Sequence, residues 1–119
     1  MKALIIEPMT PPYTKEINSN LDALQEVVEG TIQIIYPFED RACIICNDDG
    51  KIIGLPPNRA LRYDSGEIYD ILVGTFMITG VGEEDLCSLT EEQIEKYKKL
   101  FQHPEQFIKL GDSIIALQL

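Results

Sequence analysis

No apolar run in this 119-residue chain reaches the length of a membrane span or a signal-peptide core; the first, residues 3–6, stops at Glu7 and Pro8. Neither export nor a membrane partner is expected. Basic residues are scarce, ten against twenty acids, and the formal net charge of -10 repels phosphate backbones over much of the surface. Nucleic acid is therefore not an expected partner. There is one histidine, His103, directly before Pro104, and it reads as a helix-end residue near the last carbonyls rather than as a general base. Three cysteines, an odd number, fit reduced thiols in a cytoplasmic setting better than a disulfide framework. The P-loop, the dinucleotide fingerprint and H-E-x-x-H are all missing, so no cofactor and no metal is expected. Linkers, repeats and low-complexity tracts are missing too, and residues 1–119 read as a single domain.

What is present is an ordinary globular composition, 45% hydrophobic and 25% charged. Residues 2–7 read as a first strand, with a second at 13–17 hairpinned onto it past Pro11-Pro12. Asn18-Ser19-Asn20 supplies capping side chains for a helix whose face carries Leu21, Leu24, Val27 and Val28, with Gly30 as its stop. Residues 31–36 are β-branched enough for a strand, and residues 42–46 form another. The Asp49-Gly50 step that follows predicts a hairpin, with residues 51–54 returning as its second strand. Residues 58–61 are expected to make one helical turn capped by Asn58. Residues 67–79 are expected to run as one central strand, with Gly74 marking a bulge or a close backbone approach. Thr90-Glu91-Glu92-Gln93 matches a capping box, followed by a helix with Ile94, Tyr97 and Phe101 on one face. Residues 113–117 return as a last strand. Together these elements predict an α+β fold: a mainly antiparallel sheet of about five to seven strands with two principal helices packed on it.

Few residues stand out chemically. Cys43-Ile44-Ile45-Cys46 has C-x-x-C spacing, but a thioredoxin-like site needs a helix N-terminus, whereas Ile-Ile favours a strand. Strand positions three apart face opposite ways, so these thiols are not expected to meet. Gly54-Leu55-Pro56-Pro57-Asn58-Arg59-Ala60 is the least ordinary segment: two prolines stiffen the chain just before an Asn and an Arg. Arg62, Tyr63 and Tyr69 lie close by in sequence. One reading of this corner is a clamp for a small anionic ligand built from Asn58, Arg59, Arg62, Tyr63 and Tyr69. The other is an internal salt bridge from the arginines to Glu39, Asp40, Glu67 or Asp70. The acids fall in clusters, Glu39-Asp40, Asp48-Asp49, Glu83-Glu84-Asp85 and Glu91-Glu92, and the fold decides whether these share a face. No catalytic residue is singled out, since twenty acids offer many pairs and sequence fixes no separation between them.

Several segments taken together, E-P after the first strand, L-x-x-L-Q in the first helix, Y-P-F at 36–38, I-C-N-D-D-G-K at 45–51, G-L-P-P-N-R-A at 54–60 and I-Y-D-I-L-V-G-T-F at 68–76, resemble the domain of unknown function 3846 family. The resemblance covers the chain from residue 1 to about the second helix. It implies a small protein carried by phages, plasmids and other mobile elements of Gram-positive bacteria, with no assigned reaction and no catalytic residues to carry over. The expected function is accordingly a non-enzymatic accessory protein of a mobile element that binds a host protein, with Glu83, Glu84 and Asp85 as its partner-binding residues. The alternative is a protein that binds or sequesters a small anionic ligand at the Pro56-Pro57-Asn58-Arg59 corner.

Overall fold

The computed structural model describes residues 1–119. In chain order its first half comprises β1 (Lys2–Ile6), β2 (Tyr13–Glu16), α1 (Leu21–Val28), β3 (Ile32–Ile35), β4 (Ala42–Asn47) and the single turn α2 (Gly50–Ile53). There follow β5 (Pro57–Arg62), β6 (Ile68–Val73), β7 (Phe76–Val81), β8 (Leu86–Cys87), α3 (Glu91–Leu100), β9 (Glu105–Leu110) and β10 (Ser113–Gln118). The main sheet has the order β2-β1-β7-β4-β3, with β8 added to β7, and every pairing in it is antiparallel. The expected α+β fold with a mainly antiparallel sheet and two principal helices is thus the fold adopted. β5 with β6, and β9 with β10, make two further two-stranded sheets.

The three central strands read as continuous apolar runs because both faces of the sheet are covered. Ala3, Ile5, Cys43, Ile45 and Met77 point to one face and pack under Leu24 and Val28 of α1. Leu4, Ile6, Ile44, Cys46, Phe76 and Ile78 point to the other, where Ile94, Tyr97 and Phe101 from α3 and its C-cap meet Leu61 of β5 and Leu72 of β6. Cys43 and Cys46 therefore lie on opposite faces, as their strand spacing requires. Burial raises the pKa of both thiols.

Local chemistry holds both principal helices in place. Asn20 Oδ1 accepts from Ala23 N at 2.8 Å to start α1, which ends one residue before the expected stop, at Glu29 in a left-handed conformation (φ 61°). The capping box of α3 is complete: Thr90 Oγ1 accepts from Gln93 N at 3.1 Å and Gln93 Oε1 accepts from Thr90 N at 2.9 Å. No helix is long and apolar enough to cross a membrane.

Three local expectations are corrected, and one strand was not anticipated. The Asp49-Gly50 step starts α2, not a hairpin; both edges of β4 are already taken by β3 and β7, so a strand following it has nothing to pair with. Residues 67–79 form two strands in different sheets, β6 and β7, because Gly74 adopts φ 70°, where an L-residue is strained and the chain turns out of one sheet into another. Residues 58–61 are strand, within β5, and not a helical turn. The last strand, β10, has a partner that the sequence reading did not identify, β9, directly after Pro104.

Candidate functional site

The proline corner is a structural lock. Strand side chains normally alternate, yet Asn58, Arg59, Ala60 and Leu61 are all buried. The register against β6 slips between Pro57 and Arg59, and this bulge lets two consecutive polar side chains turn inwards. Asn58 is 0% exposed; its Nδ2 donates to Ile6 O at the end of β1 (2.9 Å) and to Gly74 O at the β6–β7 turn (2.8 Å). Its Oδ1 accepts from Arg59 Nη1 at 2.9 Å.

Arg59 is also 0% exposed and its partners are carbonyls of its own chain. Nε donates to Phe101 O at the α3 C-cap (3.1 Å), Nη2 to Thr10 O in the β1–β2 connection (2.6 Å), and Nη1 to Asn58 O as well as to Asn58 Oδ1. Neither the open clamp nor the salt bridge to Glu39, Asp40, Glu67 or Asp70 is the arrangement formed. Burial lowers the Arg59 pKa, with Glu105 opposing that shift.

The remaining corner residues lie elsewhere. Arg62 grips Glu105 at the start of β9 with both terminal nitrogens, Nη2 to Oε2 at 2.5 Å and Nη1 to Oε1 at 3.1 Å. Tyr63 and Tyr69 stack on each other at the surface, ring centroids 4.8 Å apart. Arg62 and Tyr69 line one small cavity of about 250 Å³, below the roughly 300–1,000 Å³ usual for small-molecule sites. Asn58 and Arg59 have no surface with which to touch a ligand there.

The acids, by contrast, converge. Glu83, Glu84 and Asp85 are exposed at the β7–β8 turn. Glu83 lines a groove of about 610 Å³ together with Asp40 from the β3–β4 connection and Glu92 from the first turn of α3. Three of the four acidic clusters thus meet at one place, although Asp40 lies more than forty residues of sequence before the other two; Asp48 lines a different cavity, beside Lys51 and Asp70. Gly80 makes the groove floor possible, because a Cβ there would sit 2.7 Å from Ser88 O and 2.9 Å from Cys87 Sγ. Arg41 and Lys96 also line the groove, and Lys96 Nζ stands 3.9 Å from Asp40 Oδ2.

Asp40 is the best-fixed carboxylate of the groove. Its Oδ2 accepts from Gln93 Nε2 (3.2 Å) and Tyr97 OH (3.0 Å), and its Oδ1 from Arg41 N (2.8 Å). These bonds, that from Gln93 first, hold its pKa below the ordinary 3.8 against the opposing effect of desolvation. Burial first, and then the same contact with Asp40, push the Tyr97 hydroxyl well above its usual 10. A carboxyl with a lowered folded-state pKa contributes stability above its unfolded value and loses it as pH falls through the folded one. The protein is expected to lose stability below about pH 4, and Asp40→Asn should flatten that acid limb in urea titrations between about pH 4 and pH 2. An unchanged slope would remove Asp40 from the acid transition.

Convergence of these clusters was not visible in the sequence, because it depends on sheet order: β4 and β7 are neighbours, and α3 starts beside their shared end. The only local signal was the capping box, which puts Glu91 and Glu92 at a helix start. No curated protein and no solved structure matches the chain. Residues 1–102 match the family described as Domain of unknown function (DUF3846), a span that holds both the corner and the groove but ends before β9, and the chain belongs to that family.

Proposed function

We propose that this chain is a non-enzymatic binding protein, an accessory of a mobile element acting in the cytoplasm, and that its acidic groove receives a basic segment of a host protein. The observation that carries this reading is the meeting of Asp40, Glu83 and Glu92 around one concavity, with Glu84 and Asp85 exposed in the same turn as Glu83. A chain of net charge -10 attracts basic partners at long range, and the groove, lined by three acids against the two bases Arg41 and Lys96, with Glu84 and Asp85 exposed in the same turn as Glu83, gives that attraction a place to end. In this reading Asn58 and Arg59 serve the fold, and the groove serves the partner.

Affinity capture from host lysate tests the proposal when run in parallel with two charge-reversal variants. Glu83→Lys/Glu84→Lys/Asp85→Lys should lose the partner that the unaltered protein retains, whereas Asp48→Lys/Asp49→Lys, away from the groove, should keep it. Retention should also fall as salt rises from about 0.05 to 0.5 M, since the Debye length shrinks over that range. A partner held equally by the groove variant would overturn the assignment.

A further inference from the structure

The contact that joins the C-terminal hairpin to the body has the make-up of a ligand site. Arg62 offers both terminal nitrogens to the Glu105 carboxylate, at 3.1 Å and 2.5 Å, and the backbone N–H of Ala60 donates to the same carboxylate at 3.1 Å. One planar fork and one fixed amide are what a receptor needs to hold a carboxylate. Arg59 stands near enough for the Glu105 charge to oppose the lowering of its pKa, so a second guanidinium adds to the positive field there. Ala60, Arg62 and Glu105 also line the cavity of about 250 Å³, together with the apolar side chains of Phe38, Leu61, Leu100 and Phe101. This cavity shares no residue with the acidic groove.

The group that fills the place is loosely held. Glu105 is the first residue of β9, and no ladder joins β9 to β5. Four of six residues in β9 and five of six in β10 are exposed, so little of the hairpin beyond Glu105 is anchored. A two-stranded sheet of this kind opens more readily than the covered central sheet. The family match includes Ala60 and Arg62 but stops at residue 102, ahead of the occupant. We propose that the Ala60 N–H and the Arg62 guanidinium form a binding site for the carboxylate of a small apolar acid, and that Glu105 is its internal occupant, displaced when the hairpin swings off. The Glu105 carboxylate stands in for that of the ligand. Phe38, Leu61 and Phe101 then receive an aliphatic or aromatic body, and the cavity limits that body to about the size of one side chain. Withdrawal of the Glu105 side chain enlarges the space towards the range usual for small ligands. An acid with no apolar body gains the fork alone, and an amine meets two guanidiniums.

Phenylacetate is the probe, titrated into the full chain at constant ionic strength and followed by calorimetry and thermal melts. Glu105→Ala should bind it with a dissociation constant on the order of 1 mM, and about 20 mM should raise the melting temperature of this variant by roughly 5 °C. The unaltered protein should bind at least ~ten-fold more weakly, because the tethered carboxylate competes for the same donors. In that protein about 50 mM phenylacetate should speed hydrogen exchange of the β9 and β10 amides at least ~five-fold and leave those of β1, β4 and β7 unchanged. Acetate should bind Glu105→Ala at least ~five-fold more weakly than phenylacetate, since it buries no apolar body. Arg62→Ala combined with Glu105→Ala should abolish binding. If Glu105→Ala fails to fold, Glu105→Gln, which keeps an oxygen for the Ala60 N–H and removes the charge from Arg62, decides. The proposal is overturned by a Glu105 variant indifferent to phenylacetate, by one that phenethylamine or acetate stabilises equally, or by an unaltered hairpin whose exchange the acid does not change.

Discussion

Arg59→Leu is expected to cost about 3–5 kcal/mol of folding stability, one of the two largest effects of any single substitution outside the apolar core. The guanidinium is the common donor to Phe101 O, Thr10 O and Asn58 O, so it ties the end of α3 and the β1–β2 connection to β5. Two effects oppose each other. Burying a cation is costly, which is why the Arg59 pKa is lowered, and an apolar side chain relieves that cost. Such relief makes a replacement neutral only when the partners are replaced as well, and main-chain carbonyls remain whatever side chain is chosen. Each one left buried without a donor costs roughly 1–3 kcal/mol, so the loss outweighs the relief. Arg59→Lys should recover only part of it, with a cost of about 2 kcal/mol, because one ammonium cannot reach Phe101 O and Thr10 O with the geometry of a fork. Urea unfolding measures both: the midpoint should fall with little change in slope, and Arg59→Leu should lower the melting temperature by roughly 10–20 °C. A cost under about 1 kcal/mol for Arg59→Leu would show that the lock does not hold the fold.

That prediction reverses the first meaning of the G-L-P-P-N-R-A segment. Read along the chain, two prolines before an Asn and an Arg look like a rigid presentation of a guanidinium to solvent. What turns the side chains inwards is the bulge after Pro57, and a bulge is set by the partner strand, here β6, which local sequence does not identify. Elements whose determinants are local were legible. The Thr90 to Gln93 box and the Asn20 cap each close within four residues, and strand periodicity alone separates Cys43 from Cys46. The errors share one cause. Asp49-Gly50 carries the chemistry of a hairpin turn, but β4 is flanked on both edges; Gly74 interrupts an unbroken apolar run only because the residues on its two sides belong to different sheets. Likewise the acids of the groove were legible as clusters but not as neighbours, since β4, β7 and α3 meet through pairings of long sequence separation.

The second large effect concerns the pair that fastens the C-terminal hairpin, and it should be asymmetric. Glu105 is only 3% exposed; besides both Arg62 nitrogens it accepts from Ala60 N at 3.1 Å, whereas the Arg62 side chain keeps 28% of its surface in water. Arg62→Ala therefore strands a carboxylate in the interior with a single backbone donor, and should cost about 3–5 kcal/mol. Glu105→Ala leaves a guanidinium that rehydrates and one buried amide without an acceptor, and should cost about 2–3 kcal/mol. Removing both should cost less than the sum, by at least ~1 kcal/mol, because neither remnant then has a lost partner to miss. Hydrogen exchange separates a fastening role from a general loss of stability. In Glu105→Ala the amides of β9 and β10 should exchange faster by more than the global change accounts for, while those of β1, β4 and β7 follow global unfolding. Costs that add without coupling, or a uniform change in exchange across both regions, would show that Arg62 and Glu105 contribute to the fold separately and that the hairpin is held by its apolar contacts alone.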